Sequence, residues 1–486
     1  MSAAGTPTPS QPQPTVHPRL RTLLLLLFGT TFCWYIIPGV YFAYGVFGAA
    51  VAIAITCVLA LVLRGEADPV VLIWVAIFPL GYYFLSFPRE RAIVSFDRAV
   101  VLLLCVAACC ASPAKIMRLP RSMCRAGWSW LLFVFAVLLS FVHLSNLLSP
   151  LRVLVDAYIL PALLGWCVIR CFPVRRRLLA LHILLCIMAA YLAAIGAAEM
   201  VLNVHLLPLA GAGAYYAGFG DSLLLRPSGP FLASHSFSLI GLFCFWFLAF
   251  LRRAAGAELP RWQKWLHWCG VTSAVIVAFL PLFRSIMLTF LGLAILDAFW
   301  ERRTSRYLLA VVSLAILSGL VFAAWLLSPE ILVERFLDPA NLFARIAQQQ
   351  QTLRVFQQSP LTGVGFTNYM TGVEQPGSSG ASFQDVSALD SPHNNLGAVL
   401  SETGLCGFLT FLFAQGFFLR AFWRARAAQT KRALLAWQFF CYAFLSYWIS
   451  GLDISTMYSS DLNLFYLFMT AVLYKYGTGA AESPAA

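Results

Sequence analysis

Long apolar runs, separated by short stretches of charge, Pro and Gly, recur along almost the whole chain. A bilayer core of about 30 Å takes about 20 apolar residues per helix, and on that measure the chain holds about fourteen candidate spans. They lie near 22–38, 42–63, 69–87, 97–112, 128–148, 153–169, 178–201, 230–251, 266–283, 286–300, 307–327, 395–419, 433–450 and 462–475. Some are short, and 153–169 carries Asp156 and Pro161. The pattern predicts an all-α polytopic membrane protein with about 12 to 14 transmembrane helices.

The polar remainder sets the domain order. Residues 1–18 and 476–486 are tails too rich in Pro, Ser, Thr and small residues to bury a core. No cleavable leader is expected ahead of the first run. Between the tails come N-terminal helices (19–201), central helices (202–327), one large outer loop (328–392) and C-terminal helices (393–475).

Composition removes the competing classes. The chain is 60% hydrophobic and 11% charged, whereas a soluble domain is about 25% charged, so a water-soluble globule is excluded. The 13 Cys are scattered singly apart from Cys109 and Cys110, and none lies between Ser328 and Pro392. Free buried thiols explain them better than bridges or zinc ligands.

The net charge of +13 follows the positive-inside rule once the N terminus is placed in the cytoplasm. It then reflects topology and anionic inner-leaflet membrane lipids, with no nucleic-acid partner. The outer side retains Arg89, Arg91, Arg98, Arg152, Arg226, Arg284, Arg335, Arg345 and Arg354, all Arg and no Lys. Arg89, Arg91 and Arg98 fit poorly: either their loop lies in the headgroup layer or an early span is miscounted. Arg presents a planar fork of donors that matches phosphate, and headgroup anchoring is the plainer alternative for any one of them. Arg226, in a Pro and Gly turn, and Arg284, between two apolar runs, lie so near the hydrocarbon that each needs a partner.

Within the outer loop, Asn341 to Gln358 reads as a helix with Leu342, Ile346, Leu353 and Phe356 along one side. Arg345 and Arg354 then lie about 180° apart, so at most one faces a ligand. The segment after it, with Pro360, Gly363 and Gly365, reads as a turn.

His393 is the strongest candidate for acid–base chemistry. Ser391 can cap the helix that follows and Pro392 fits its first turn, which puts His393 at the N terminus of a membrane helix on the outer side. There the helix dipole favours a neutral ring and a nearby anion. At about 100° per residue, Gly397, Gly404 and Gly407 form one small-residue stripe beneath it. Its plainer reading is a capping residue above a packing seam. Of the other His, only His235, nine positions after Arg226, is a serious rival base. Glu402 falls on the opposite face, where it is expected to pair with a buried cation or stay protonated.

These residues resemble the bacterial O-antigen ligase and polymerase superfamily, which includes general O-oligosaccharyltransferases. The motif there is His, then Asn, Ser or Gln, nine residues, Gly, two residues, Gly, two residues, and Gly, Thr or Gln. Here it reads His393, Asn394, Gly404, Gly407, Thr410, and a second pattern of Arg, ten residues, Gly matches Arg354 and Gly365. The resemblance covers roughly Arg226 to Phe418. It implies a membrane glycosyltransferase (GT-C-like) fold in the bacterial inner membrane, moving a glycan from undecaprenyl pyrophosphate to an acceptor hydroxyl, on lipid A-core or another glycan, at the periplasmic face. It also implies Arg226 and Arg284 as holders of the pyrophosphate, Arg354 as a loop arginine of the site, His393 as the catalytic base, and no metal or other cofactor. Within the superfamily a repeat-unit polymerase is the alternative. Outside it, the alternative is a glycan transporter, against which stands the clustering of Arg and His at the outer ends rather than at the midplane.

Overall fold

The computed structural model describes residues 66–80, 86–87, 94–110, 119–207, 216–217, 224–256 apart from 232, 260–300, 340–374 and 392–479, with isolated helical positions at 62 and 319. The run 22–38, nearly all of 42–63 and of 307–327, the tail 1–18, Arg89, Arg91, Arg335 and Ser391 lie outside the described residues.

Among the described residues the fold is helical throughout, apart from two short antiparallel pairs, Ser86–Phe87 with Val94–Ser95 and Tyr216–Ala217 with Leu224–Leu225. The helices are α1 (Ala67–Ile77, extended by a 3-10 turn to Leu80), α2 (Phe96–Cys110), α3 (Arg121–Ser140), α4 (Leu148–Leu154), α5 (Leu160–Cys171), α6 (Val174–Leu202) and α7 (Ser234–Ala255). They continue with α8 (Arg261–Phe279), α9 (Arg284–Trp300), α10 (Ala340–Gln358), α11 (Tyr369–Glu374), α12 (Asn395–Arg426), α13 (Lys431–Ser450) and α14 (Ser460–Thr478). Six of these segments are long and apolar enough to cross a membrane: α3, the joined α4–α5, α6, α7, α12 and α13. The protein is an all-α polytopic membrane protein.

Helix α7 is the hub, since its Phe237 to Phe250 face meets protein on every side and Phe243, Phe245, Trp246 and Phe247 are fully buried. Its rings interlock with Phe290 of α9, Tyr442 of α13 and Phe468 of α14. Gly241 lets α7 approach α8 so closely that a Cβ there would meet the backbone nitrogen of Ala278 at 2.6 Å. At one end of the bundle Asp297 joins three helices, accepting from Arg253 at 2.7 Å, Gln438 at 2.9 Å and Tyr442 at 2.9 Å.

Several expectations are corrected here. Within the 69–87 run the described helix reaches Leu80, and Ser86–Phe87 pairs as a strand instead of continuing a span. Arg98 is neither a loop residue nor a headgroup anchor: it stands in the first turn of α2 and clasps Asp156 through Nε at 2.7 Å and Nη2 at 2.6 Å. Asp156 is thus tolerated in an apolar run, in the π-turn Val155–Ile159 that joins α4 to α5, with Arg152 3.7 Å away. The ten cysteines whose side chains are described carry free thiols, but Cys109, Cys124, Cys269 and Cys406 lie exposed on helix surfaces rather than buried. On α10, Ile346 and Leu353 are exposed, while Gln348, Gln351, Thr352 and Val355 pack inward. Tertiary contact, rather than the helix's own polarity, selected that face.

Candidate functional site

The candidate residues gather at one end of the bundle. That end is opposite to Arg252, Arg253, Arg261, Lys264, Lys431 and Arg432, because α7 and α14 start there, α8 and α13 end there, and α9 and α12 start there again.

Arg226 follows the strand Leu224–Leu225 and precedes a turn at Ser228–Gly229 that leads into α7. The turn is tied down by Glu199, a fully buried carboxylate near the end of α6. Its Oε2 accepts from the backbone N–H of Ser228 at 3.0 Å and Gly229 at 2.9 Å, and its Oε1 from that of Leu206 at 3.3 Å. The hydroxyl of Ser234, first residue of α7, donates to the Arg226 carbonyl at 3.0 Å. The backbone of Arg226 is therefore fixed from both sides, and its guanidinium lies 5.1 Å from the Phe283 ring centre. Replacing Glu199 with Ala would leave buried backbone donors unpaired, each worth about 1–3 kcal/mol. The expected result is a lower thermal unfolding midpoint in detergent, with Glu199→Gln, which keeps an acceptor oxygen, affected less.

Phe283 connects this arginine to two others of the candidates. The next residue, Arg284, opens α9, and the edge of the His235 ring meets Phe283 at 6.4 Å between centres. His235 sits in the first turn of α7, and its Nε2 is 3.0 Å from the hydroxyl of Ser459, the residue before α14. His393 is near enough to His235 to act on it electrostatically.

The helix below His393 differs from its sequence reading in three ways. Asn394 is the cap: its side-chain oxygen accepts from the backbone of Gly397 and its amide donates to the Pro392 carbonyl at 3.1 Å. His393 therefore precedes the helix and adopts φ of 34°, in the left-handed region. Second, the glycines do not form a stripe, because α12 is broken at Gly404 (φ 63°, ψ −166°), which voids the 100° arithmetic across it. The stretch 405–426 alone is about 33 Å long, enough for a hydrocarbon core of about 30 Å, so 395–403 forms a separate half-helix. Third, of the two expectations for Glu402 the cation pair is not found among its described partners: Oε2 accepts from the Thr367 N–H at 2.8 Å and the Tyr458 hydroxyl at 2.5 Å. These donors satisfy a carboxylate that is 3% exposed.

The break is filled by the loop. The N–H groups of Val364 and Gly365 donate to the carbonyls of Ser401 and Glu402, both at 3.0 Å. Leu405 and Cys406 donate to the carbonyls of Pro360 and Leu361 at 2.8 and 3.1 Å. The turn 360–365 thus supplies the hydrogen bonds that the broken helix lacks. Helix α10 leads into this turn and crosses the head of the half-helix, with Thr352 close to Gly397. Arg354, half-buried, lies on α10, as does Arg345, whose side chain is outside the described residues.

Sequence reasoning passed over Glu199, Phe283, Asn395, Tyr458 and Ser459. Glu199 carried a signal, a lone acid inside an apolar run, and Asn395 another, in the His-Asn-Asn triplet opening a helix. Among the described residues no cluster of His, Cys, Asp and Glu is arranged to hold a metal ion.

Residues 223–412, which take in Arg226, His235, Arg284, Arg354 and the half-helix headed by His393, match the family model described as O-antigen ligase. No curated protein matches the chain. Residues 223–412 are thus similar to the O-antigen ligase family, a likeness that supports a membrane glycosyltransferase of the ligase or polymerase type.

Proposed function

We propose that the protein transfers a glycan from undecaprenyl pyrophosphate to an acceptor hydroxyl, as an O-antigen ligase, at the periplasmic face of a bacterial inner membrane. The observation that supports this reading is that Arg226 and His235 both meet the Phe283 ring, next in the chain to Arg284, with His393 near enough to His235 to act on it electrostatically, at the end of the bundle away from the Lys- and Arg-rich helix ends. Positive-inside topology makes that end the periplasmic one. Nucleotide sugars are cytoplasmic, so a donor used there is a lipid-linked one.

The chemistry asks little of the protein beyond position and charge. The acceptor oxygen forms a bond to the anomeric carbon as the bond from that carbon to the pyrophosphate oxygen breaks. The electron pair leaves with undecaprenyl pyrophosphate, and the hydroxyl proton passes to His393. Arg226 and Arg284 neutralise the charge developing on the leaving group, and the half-buried setting strengthens that effect. Phe283 orients the Arg226 guanidinium by stacking. No metal is needed, since a pyrophosphate is already a good leaving group.

The test is transfer by the reconstituted protein from a defined polyprenyl pyrophosphate oligosaccharide to lipid A-core, read by mass spectrometry. A single glycan block on the acceptor supports ligation, donors lengthened on their own carrier indicate a polymerase, and movement of donor without a new glycosidic bond indicates a transporter. Arg226→Ala is expected to weaken donor binding by about 10- to 100-fold, the worth of one charge-assisted hydrogen-bond set. Unchanged binding would remove Arg226 from the site.

A further inference from the structure

We propose that Glu402 is a positioning residue for transfer, fastening the segment 456–459 to the His393 half-helix so that His393, His235 and the outer loop keep one register; the inference rests on the function proposed above. The half-helix 395–403 is gripped at two points by the same short segment. At its head the Asn395 side chain donates to the Thr456 hydroxyl at 2.8 Å and accepts from the Met457 N–H at 3.1 Å. Seven residues on, two helical turns lower on the same face, Glu402 accepts from the Tyr458 hydroxyl at 2.5 Å. The next residue is Ser459, whose hydroxyl meets His235 at 3.0 Å. One continuous run of four residues therefore links the helix that carries His393 to the second imidazole.

Glu402 also holds the outer loop, accepting from the Thr367 N–H at 2.8 Å, and the Phe366 ring packs against Tyr458 at 5.8 Å. The backbone bonds at the break join the turn 360–365 to the helix without using the Glu402 side chain. What they do not hold is the segment 456–458, which reaches the foot of the half-helix through Tyr458 and Glu402. The Glu402 side chain suits this post because Oε2 accepts whether or not the other oxygen carries a proton, and both groups facing Oε2 are donors. Glu402 itself is buried, nine residues from His393 along the chain, so its effect on the reaction passes through the groups it holds.

The experiment is steady-state transfer by full-length protein carrying Tyr458→Phe, Glu402→Gln or Glu402→Leu, with donor KM, kcat and unfolding midpoint measured together. Misplacement on the ångström scale lowers kcat by up to about 100-fold. Tyr458→Phe is expected to lower kcat about tenfold with donor KM within about twofold and a midpoint lowered only by the loss of one buried hydrogen bond. Glu402→Gln, which keeps the acceptor oxygen, should stay within about threefold, and Glu402→Leu should approach the full loss. If Glu402→Leu fails to fold, Tyr458→Phe still decides the matter. The proposal is overturned if Tyr458→Phe keeps full kcat, if kcat, KM and midpoint fall in proportion, or if Glu402→Gln fails as badly as Glu402→Leu. His393→Ala is assayed alongside: activity retained there while Tyr458→Phe loses it would sink the proposed base and not the positioning role.

Discussion

Replacing His393 with Ala is expected to lower glycan transfer by about 10² to 10⁴-fold, the usual contribution of a positioned base, while donor binding stays within about twofold. The separation follows from the layout. The pyrophosphate-holding groups assigned to the donor stand on the turn before α7 and at the start of α9, fixed by Glu199, Ser234 and Phe283, none of which depends on His393. His393 lies ahead of the helix cap, and the cap's own bonds, from Asn394 to Gly397 and to Pro392, do not use its ring. The unfolding midpoint should therefore remain near that of the parent. Single-turnover transfer with saturating donor is the measurement. If His393→Ala keeps its rate and His235→Ala loses it, the base is His235, which the Ser459 hydroxyl already orients.

The sequence exposed the membrane helices because each crosses a solvent of known thickness, so length and polarity alone mark it. It exposed the site candidates for a related reason. Arg226, Arg284, His235 and His393 each stand where an apolar run begins, and helices that alternate in direction bring such ends together. Contacts between distant segments were beyond it. Nothing near Asp156 in the chain says that Arg98, on another helix, will pair with it. The partners of Glu402 come from the outer loop and from the segment before the last helix, so a search for a neighbouring cation could not find them. The inward face of α10 went the same way, because periodicity ranks residues by polarity while the fold chose the side that meets the half-helix.

The break at Gly404 is the sharpest instance, and it leads to the second large expected effect: Ala at either Gly363 or Gly404 should destroy the folded site. Gly404 has φ of 63° with ψ of −166°, a conformation essentially confined to Gly, and Gly363 has φ of 72°. Space forbids a side chain as firmly as the torsions do. A Cβ on Gly404 would meet the backbone nitrogen of Gly363 at 2.6 Å, and one on Gly363 would run into the backbone of Glu402 and Thr403. Backbone cannot rotate away as a side-chain tip can, so relief requires the turn 360–365 to leave the break. That movement would strip four backbone hydrogen bonds, from Val364, Gly365, Leu405 and Cys406, in one step. The combined loss is roughly 3–5 kcal/mol or more, enough to remove most of the folded protein from a membrane preparation. Gly416, on the unbroken part of the same helix, has open space around it, since a Cβ there would meet nothing within 4 Å, so Gly416→Ala should be neutral or slightly stabilising. Yield and unfolding midpoint of the three variants in detergent decide it. A Gly404→Ala protein with the midpoint of Gly416→Ala would mean that α12 runs straight through residue 404, and the half-helix that carries His393 would lose its separate footing.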